Sequence, residues 1–184
     1  MDSDTDRDKI CCIILNYNDA ETAAGLAEEL KESRLIDDIL LVDNCSTDDS
    51  WEKFKKLELG WKKEEKEDKE DILPSLWLIR TDENGGYGSG NQAGIDYAME
   101  YLEPDYIIIA NPDVHFSDDC AKRLKEVLEA REDGAIASAM VTDSEGRELF
   151  SYWDLQPMWK DLLDTAPLAR RMFAPVLKTP LLKL

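Results

Sequence analysis

Residues Ile10 to Leu15 form an unbroken run of six apolar residues that stops abruptly at Asn16-Tyr17-Asn18. A strand with one wet face alternates apolar and polar residues. A strand apolar at every position must have both faces covered, as in a parallel sheet lying between helices. The run is also far too short for a bilayer span, which takes about 20 residues. Similar short runs recur at Ile39 to Val42, Leu76 to Arg80, Tyr106 to Ala110 and Ala135 to Val141, and a helical pattern follows each of the first four. This alternation predicts an α/β fold, a mostly parallel sheet flanked by helices.

The intervening segments supply the punctuation. Asn18 reads as the N-cap of a first helix, with Glu21 completing a capping box and Ala20, Ala23, Ala27 and Leu30 along one face. Ser46 or Thr47 is the expected cap of the second helix. Every residue from Lys62 to Asp71 is charged, so a charged insertion over 60–72 is read as a solvated helix extension or a mobile loop. Pro74 resets the chain. Gly85 to Gly90 leads into a third helix with Ile95, Ala98, Met99 and Leu102 on one face, ended by Glu103-Pro104. Ser117 is placed to cap a fourth helix carrying Cys120, Leu124, Val127 and Leu128, and Asp143 to Gly146 reads as a turn. Residues 1–9 are expected to be a disordered acidic tail and 10–152 one ligand-binding domain.

Charge narrows the ligand. With 41 acidic and 22 basic residues the chain carries a formal charge of −19, which disfavours nucleic acid as a partner, because such binding depends on Lys and Arg displacing counterions. Thr165 to Leu184 holds four bases and no acid, so the first 164 residues have 18 basic against 41 acidic residues, a net −23. An anion bound there needs a cation or backbone N–H groups. Cys11, Cys12, Cys45 and Cys120 form no C-x-x-C pair, and one histidine is too few for a zinc site, so the thiols are read as reduced. The polar, acidic stretch Met1 to Asp8 lacks the order of a signal peptide, and the expected location is cytoplasmic.

Three polar clusters stand where strands run out: Asn16-Tyr17-Asn18, Asp43-Asn44-Cys45-Ser46 and Asn111-Pro112-Asp113. In open α/β sheets ligands bind beyond the carboxyl ends of the strands, so chain folding can gather all three on one rim. The groups suit a nucleoside diphosphate. Asp43 can accept the imide N–H of a pyrimidine, and Tyr17 offers a ring to stack on it. Glycines between Gly85 and Gly90 let backbone N–H groups approach ribose or phosphate. Asp113 is a hard oxygen ligand for Mg²⁺ or Mn²⁺, which commonly binds through one or two carboxylates plus substrate phosphates. His115 reads either as a contact to metal or phosphate, or as a surface residue ahead of the cap at Ser117.

Gly88-Ser89-Gly90-Asn91-Gln92-Ala93 also fits the G-x-G-x-x-A pattern of dinucleotide-binding turns. That turn should leave the first strand directly, whereas here it lies in the third unit, with six residues between Thr81 and Gly88.

The succession I-I-L-N-Y-N, L-V-D-N-C-S-T-D-D-S, D-E-N-G-G-Y-G-S-G-N-Q-A-G and I-I-I-A-N-P-D-V is similar to family-2 inverting glycosyltransferases, over roughly residues 10–141. It resembles most the rhamnosyltransferase-like branch, with N-P-D-V in place of an Asp-x-Asp motif. The resemblance implies a GT-A fold, a Rossmann-like sheet holding a UDP- or dTDP-sugar such as dTDP-rhamnose. It implies a saccharide or lipid-linked acceptor in cell-surface polysaccharide synthesis. Carried over, Asn16, Tyr17, Asp43 and Asn44 face the base, Gly86, Gly88 and Asn91 the ribose or sugar, and Asn111 and Asp113 the diphosphate and its metal. Asn111 departs from the commoner acid, which leaves metal binding mostly to Asp113. The family's catalytic base and acceptor pocket are expected beyond Leu184, since Asp154, Asp161 and Asp164 read as helix-surface residues. Residues 153–184 then begin an acceptor-side or membrane-proximal segment, whose basic, apolar tail from Leu168 could touch the inner membrane face.

Overall fold

The computed structural model describes residues 7–67 and 74–149, with side chains except at 62–67. The chain divides into two units, Met1–Ala139 and Met140–Leu184. In the first, strands and helices alternate as β1 (Ile10–Asn16), α1 (Ala20–Leu30), β2 (Asp38–Asp43), α2 (Ser50–Glu67), β3 (Ser75–Arg80), α3 (Gly86–Tyr97), β4 (Tyr106–Ala110) and α4 (Asp118–Glu129). The four strands pair in the order β3-β2-β1-β4, all parallel. The expected α/β sheet is therefore what the chain forms.

Every residue of β1 and β2 is buried, because helices cover both faces of these central strands. On one face Ile10, Cys12 and Ile14 pack with Ile39 and Leu41 against Ala23, Leu26 and Leu30 of α1 and Phe54 and Trp61 of α2. On the other face Cys11, Ile13 and Leu15 pack with Leu40 and Val42 against Ala98 and Leu102 at the end of α3. The chain moves outward from β1 through β2 to β3, then crosses the sheet through α3 and returns beside β1 as β4. That reversal makes a topological switch point between β1 and β4, where a doubly wound sheet leaves a crevice at its carboxyl edge.

Several local expectations change. Asn18 does not cap α1. The cap position belongs to Asp19, without a side-chain cap bond, while Asn18 sits at φ 57°. Neither Ser46 nor Thr47 caps α2, which starts at Ser50 with Asp48 Oδ1 accepting from the Ser50 N–H at 3.0 Å. The charged block enters α2 as far as Glu67, the helix-extension alternative, and 68–71 lie outside the described residues. Helix α3 continues into a π-turn, Ala98–Leu102, closed by Glu103 N–H donating to Ala98 O at 2.9 Å. The wider turn leaves Met99 57% exposed rather than on the apolar face. Ser117 caps α4 as expected, accepting from Cys120 N–H.

Ala135 to Val141, expected as a fifth strand, joins no strand of the sheet: its last residue, Val141, accepts from Leu149 N–H at 2.7 Å, and Ile136 is 91% exposed. Apolar composition alone does not make a strand without a neighbour to complete its ladder. Part of the expected N-terminal tail is anchored: Arg7 bonds Asp37 and the Arg34 carbonyl, and Lys9 N–H donates to Asp105 at 2.7 Å. In the second unit the turn at Asp143–Gly146 forms, with Gly146 N–H donating to Asp143 O at 2.9 Å and Thr142 bridging Glu148. All four cysteines are free, Cys11 and Cys12 buried within β1. Among the described residues no helix is long and apolar enough to cross a membrane.

Candidate functional site

Strand register brings the three polar clusters together. Asn16 ends β1 opposite Asp43, the end of β2, and Asp43 in turn lies opposite Arg80, the end of β3. On the other side Ile14 pairs with Ala110, so the Asn111 loop leaves the sheet beside Leu15. At this switch-point edge a cleft of about 480 Å³ is lined by Leu15, Tyr17, Asn44, Asn84, Gly86, Tyr87, Asn111, Pro112 and Asp113. Five of the nine residues expected at the site, Tyr17, Asn44, Gly86, Asn111 and Asp113, therefore share one cavity.

Asn16 and Asp43 stand behind the wall. Asn16 is 1% exposed and fully employed: its Nδ2 donates to Asp43 Oδ1 and Ser46 Oγ, both at 3.1 Å, and its Oδ1 accepts from Asp19 N–H at 3.0 Å. Asp43 is 0% exposed, and its other oxygen faces Arg80 Nε at 3.1 Å and Ser46 N–H at 3.3 Å. Asp43, expected to meet the base, is placed behind the cleft wall: the carboxylate is enclosed by protein donors and contributes no surface to the cleft. A second set of bonds joins the same two loops. Asn18 Oδ1 accepts from Thr47 N–H at 2.8 Å and from Asp48 N–H at 3.3 Å. Asn18 and Cys45 both hold left-handed backbone, at φ 57° and 56°.

Asn44 lines the cleft chiefly as a clamp. Its Nδ2 donates to Asn84 Oδ1 at 2.9 Å and to Gly86 O at 3.2 Å, while Asn84 Oδ1 also accepts from Gly86 N–H. This fixes the turn that starts α3, where Gly86 adopts φ 86°, a conformation costly to any residue with a Cβ. Further along the helix the need is space: a Cβ on Gly90 would fall 2.5 Å from Leu15 Cδ1, and one on Gly94 2.8 Å from Ile13 Cγ2. Gly88 meets nothing within 4 Å and does not line the cleft. Asn91 is buried in α3, with its Oδ1 lacking a hydrogen-bond partner, and is likewise outside the lining. Gly88 and Gly90 lie inside a helix that follows the edge strand β3, which removes the dinucleotide-turn reading.

Tyr87, Asn84 and Leu15 line the cleft without having been expected there from the sequence, and Pro112 lines it with the rest of its cluster. Tyr87 is the informative one: its hydroxyl donates to Asn111 Oδ1 at 2.9 Å, joining the start of α3 to the loop after β4. An aromatic beside Gly86 in the glycine run was the available signal. Among the described residues no three His, Cys, Asp or Glu side chains gather to hold a metal. Asp113 is, among the described residues, the only carboxylate lining the cleft. That donor set fits a hard cation that brings its other oxygen ligands with it, as a diphosphate would supply, and not one retained by the protein alone. His115 points elsewhere, its Nδ1 2.5 Å from Glu29 Oε2 of α1. Asp154, Asp161, Asp164 and the tail from Leu168 lie outside the described residues.

Comparison with known proteins gives one family: the model for glycosyl transferase family 2 matches residues 11–170. No curated protein matches the chain. Among solved structures, the mannosyltransferase PcManGT from Pyrobaculum calidifontis, in complex with GDP-Man and Mn²⁺, is 19% identical with a TM-score of 0.46, over 59% of this chain and 28% of that one. S. aureus TarS 1–349 in complex with UDP-GlcNAc is 16% identical with a TM-score of 0.48, over 73% and 38% of the two chains. The same protein with UDP gives 15% and 0.49, over 73% and 40%. The chain thus spans well under half the length of these proteins.

Proposed function

The chain belongs to glycosyl transferase family 2, and from that premise we propose that it takes a UDP- or dTDP-sugar, for example dTDP-rhamnose, into the cleft at the β1–β4 switch point. The sugar passes to a saccharide or lipid-linked acceptor in cell-surface polysaccharide synthesis, with inversion, at the cytoplasmic face of the membrane. The observation that carries the reading is the gathering of Tyr17, Asn44, Gly86, Asn111 and Asp113 around one cavity.

The roles follow from the chemistry of each group. Tyr17, 47% exposed, presents a ring on which a pyrimidine can stack. The Asn44–Asn84 clamp holds the first turn of α3, and the positive end of a helix dipole favours an anion such as the diphosphate. Asp113 holds the cation that enters with the diphosphate, and Tyr87 fixes Asn111 beside it. A bound Mg²⁺ or Mn²⁺ supplies Lewis-acid stabilisation of charge on the departing diphosphate. In a chain of net charge −19 that cation also offsets repulsion of the anionic donor.

The test is thermal unfolding with UDP, dTDP and GDP, each with and without Mn²⁺. At a hundredfold excess over Kd, linkage gives about 2.7 kcal/mol of stabilisation, expected for the pyrimidine nucleotides with metal. No shift with either at millimolar concentration would sink the reading. A second reading, a module that binds the donor without transferring its sugar, is favoured by the single carboxylate in the cleft. Turnover of donor in the presence of acceptor separates the two.

A further inference from the structure

We propose that Asp43 and Arg80 are positioning residues that lock the two loops forming the base-side wall of the cleft, and that the Asp43 carboxylate does not itself read the base. The inference rests on the nucleotide-sugar reading of that cleft. Asp43 has no exposed surface, and three donors converge on it: Asn16 Nδ2, Ser46 N–H and Arg80 Nε. Each comes from a different segment, respectively the end of β1, the loop after β2 and the end of β3. Arg80 also donates from Nη2 to Ser46 O at 2.8 Å, and Ser46 Oγ accepts from Asn18 N–H at 2.9 Å. Tyr17 is thus flanked by two residues, Asn16 and Asn18, that are both bonded into the same hub.

The hub has a job to do. Asn18 and Cys45 hold left-handed backbone in the two loops, and such conformations persist only where surrounding contacts over-determine them. Its chemistry is also specific. With donors on every side, only an acceptor-only group satisfies the position, so an amide at 43 would set N–H against N–H. Arg80 Nε is the countercharge facing this buried carboxylate at 3.1 Å, and removing one member of such a pair strands the other.

The experiment uses the 184-residue chain with Asp43→Asn and Arg80→Gln, binding UDP and CDP in Mn²⁺, with amide hydrogen exchange on the nucleotide-free protein. Uracil N3 donates a hydrogen bond where cytosine N3 accepts one. A base-reading carboxylate changed to an amide should therefore shift the UDP-to-CDP preference by about tenfold or more. Positioning predicts instead that both variants weaken UDP and CDP together by about tenfold or more with the preference unmoved. It also predicts faster exchange over 16–19 and 43–48 in both variants. Arg80→Gln carries the test however well Asp43→Asn folds. A changed base preference, or unchanged exchange in both loops, overturns the proposal. Absence of any nucleotide binding by the wild type would defeat the site reading instead, while the exchange measurement still decides the hub.

Discussion

Asp113 lies exposed on the loop after β4 and adds nothing to either side of the core. Replacing it with alanine should change unfolding free energy by less than about 0.5 kcal/mol, as for surface substitutions generally. The metal-dependent part of UDP binding should fall by at least about 1.4 kcal/mol, a tenfold change in affinity. Calorimetric titration with and without Mn²⁺ reads both nucleotide terms, and unaltered Mn²⁺ dependence would remove Asp113 from the metal site. Buried side chains carry a different signature. Burial, aided by the nearby Asp38 charge, raises the Cys11 thiol from 9.0 to about 12, and burial raises Cys12 as well. The folded state then keeps these protons between pH 9 and 12 while the unfolded chain releases them, so stability falls as pH rises through that window, by up to about 1.4 kcal/mol per unit for each thiol. Urea midpoints from pH 8 to 10.5 should drop with a slope that Cys11→Ala reduces; an unchanged slope would disprove the assignment. Residue types announced the rim, yet not which of its members face outward. Asn16 and Asp43 look from the sequence like Tyr17 and Asn44, since each follows an apolar run. The missing clue was Arg80, a charge ending β3 in register with the acid ending β2.

Glycines in a helix such as α3 can answer two needs, close approach to phosphate and close packing against a sheet. Only Gly86, at φ 86° on the cleft, answers the first. Gly90 and Gly94 answer the second, one turn apart on the face against β1 and β2. Gly94→Ala decides between opposing effects. Alanine gains about 1 kcal/mol of helix propensity, but its Cβ would lie 2.8 Å from Ile13 Cγ2 and 3.0 Å from Val42 Cγ2. Both are branched methyls on buried strands with little room to yield, so overpacking of about 1–3 kcal/mol should win. A net loss of stability in urea unfolding is expected, and a gain would mean α3 lies further from the sheet. The strands were legible because unbroken apolar runs are rare outside covered sheets, and the caps less so. Asn18, Ser46 and Thr47 all have capping side chains, but the bonds between loops claimed them first. Ala135 to Val141 misled for a related reason: local pattern states what could pair and is silent on whether a neighbouring strand is there.

At the scale of the whole chain, binding and transfer make separate demands on the structure. Binding asks for a stacking ring, a clamped helix start and a cation ligand, for which Tyr17, the turn held by Asn44 and Asp113 are the candidates around one cavity. Inverting transfer asks in addition for a carboxylate base that takes the acceptor hydroxyl's proton as the anomeric carbon is attacked from the opposite side. Among the described residues Asp113 is the one carboxylate lining the cleft, and under the proposed role as cation ligand it would not be free to serve as that base. Asp43 is enclosed by three donors and has no surface on the cleft from which to reach an acceptor hydroxyl. General-base help contributes about 10²–10⁴ in rate, and a fixed acceptor adds the advantage of orientation. The 184-residue chain alone is therefore expected to bind a UDP- or dTDP-sugar with metal and to hydrolyse it slowly, while transferring sugar to acceptor at least about a hundredfold more slowly than a chain that supplies the base. Single-turnover assays with radiolabelled donor, scoring free sugar against glycosylated acceptor, separate the two outcomes. Efficient transfer by this chain would show that a carboxylate outside the cleft lining reaches the acceptor. Asp154→Asn and Asp161→Asn would then identify which one.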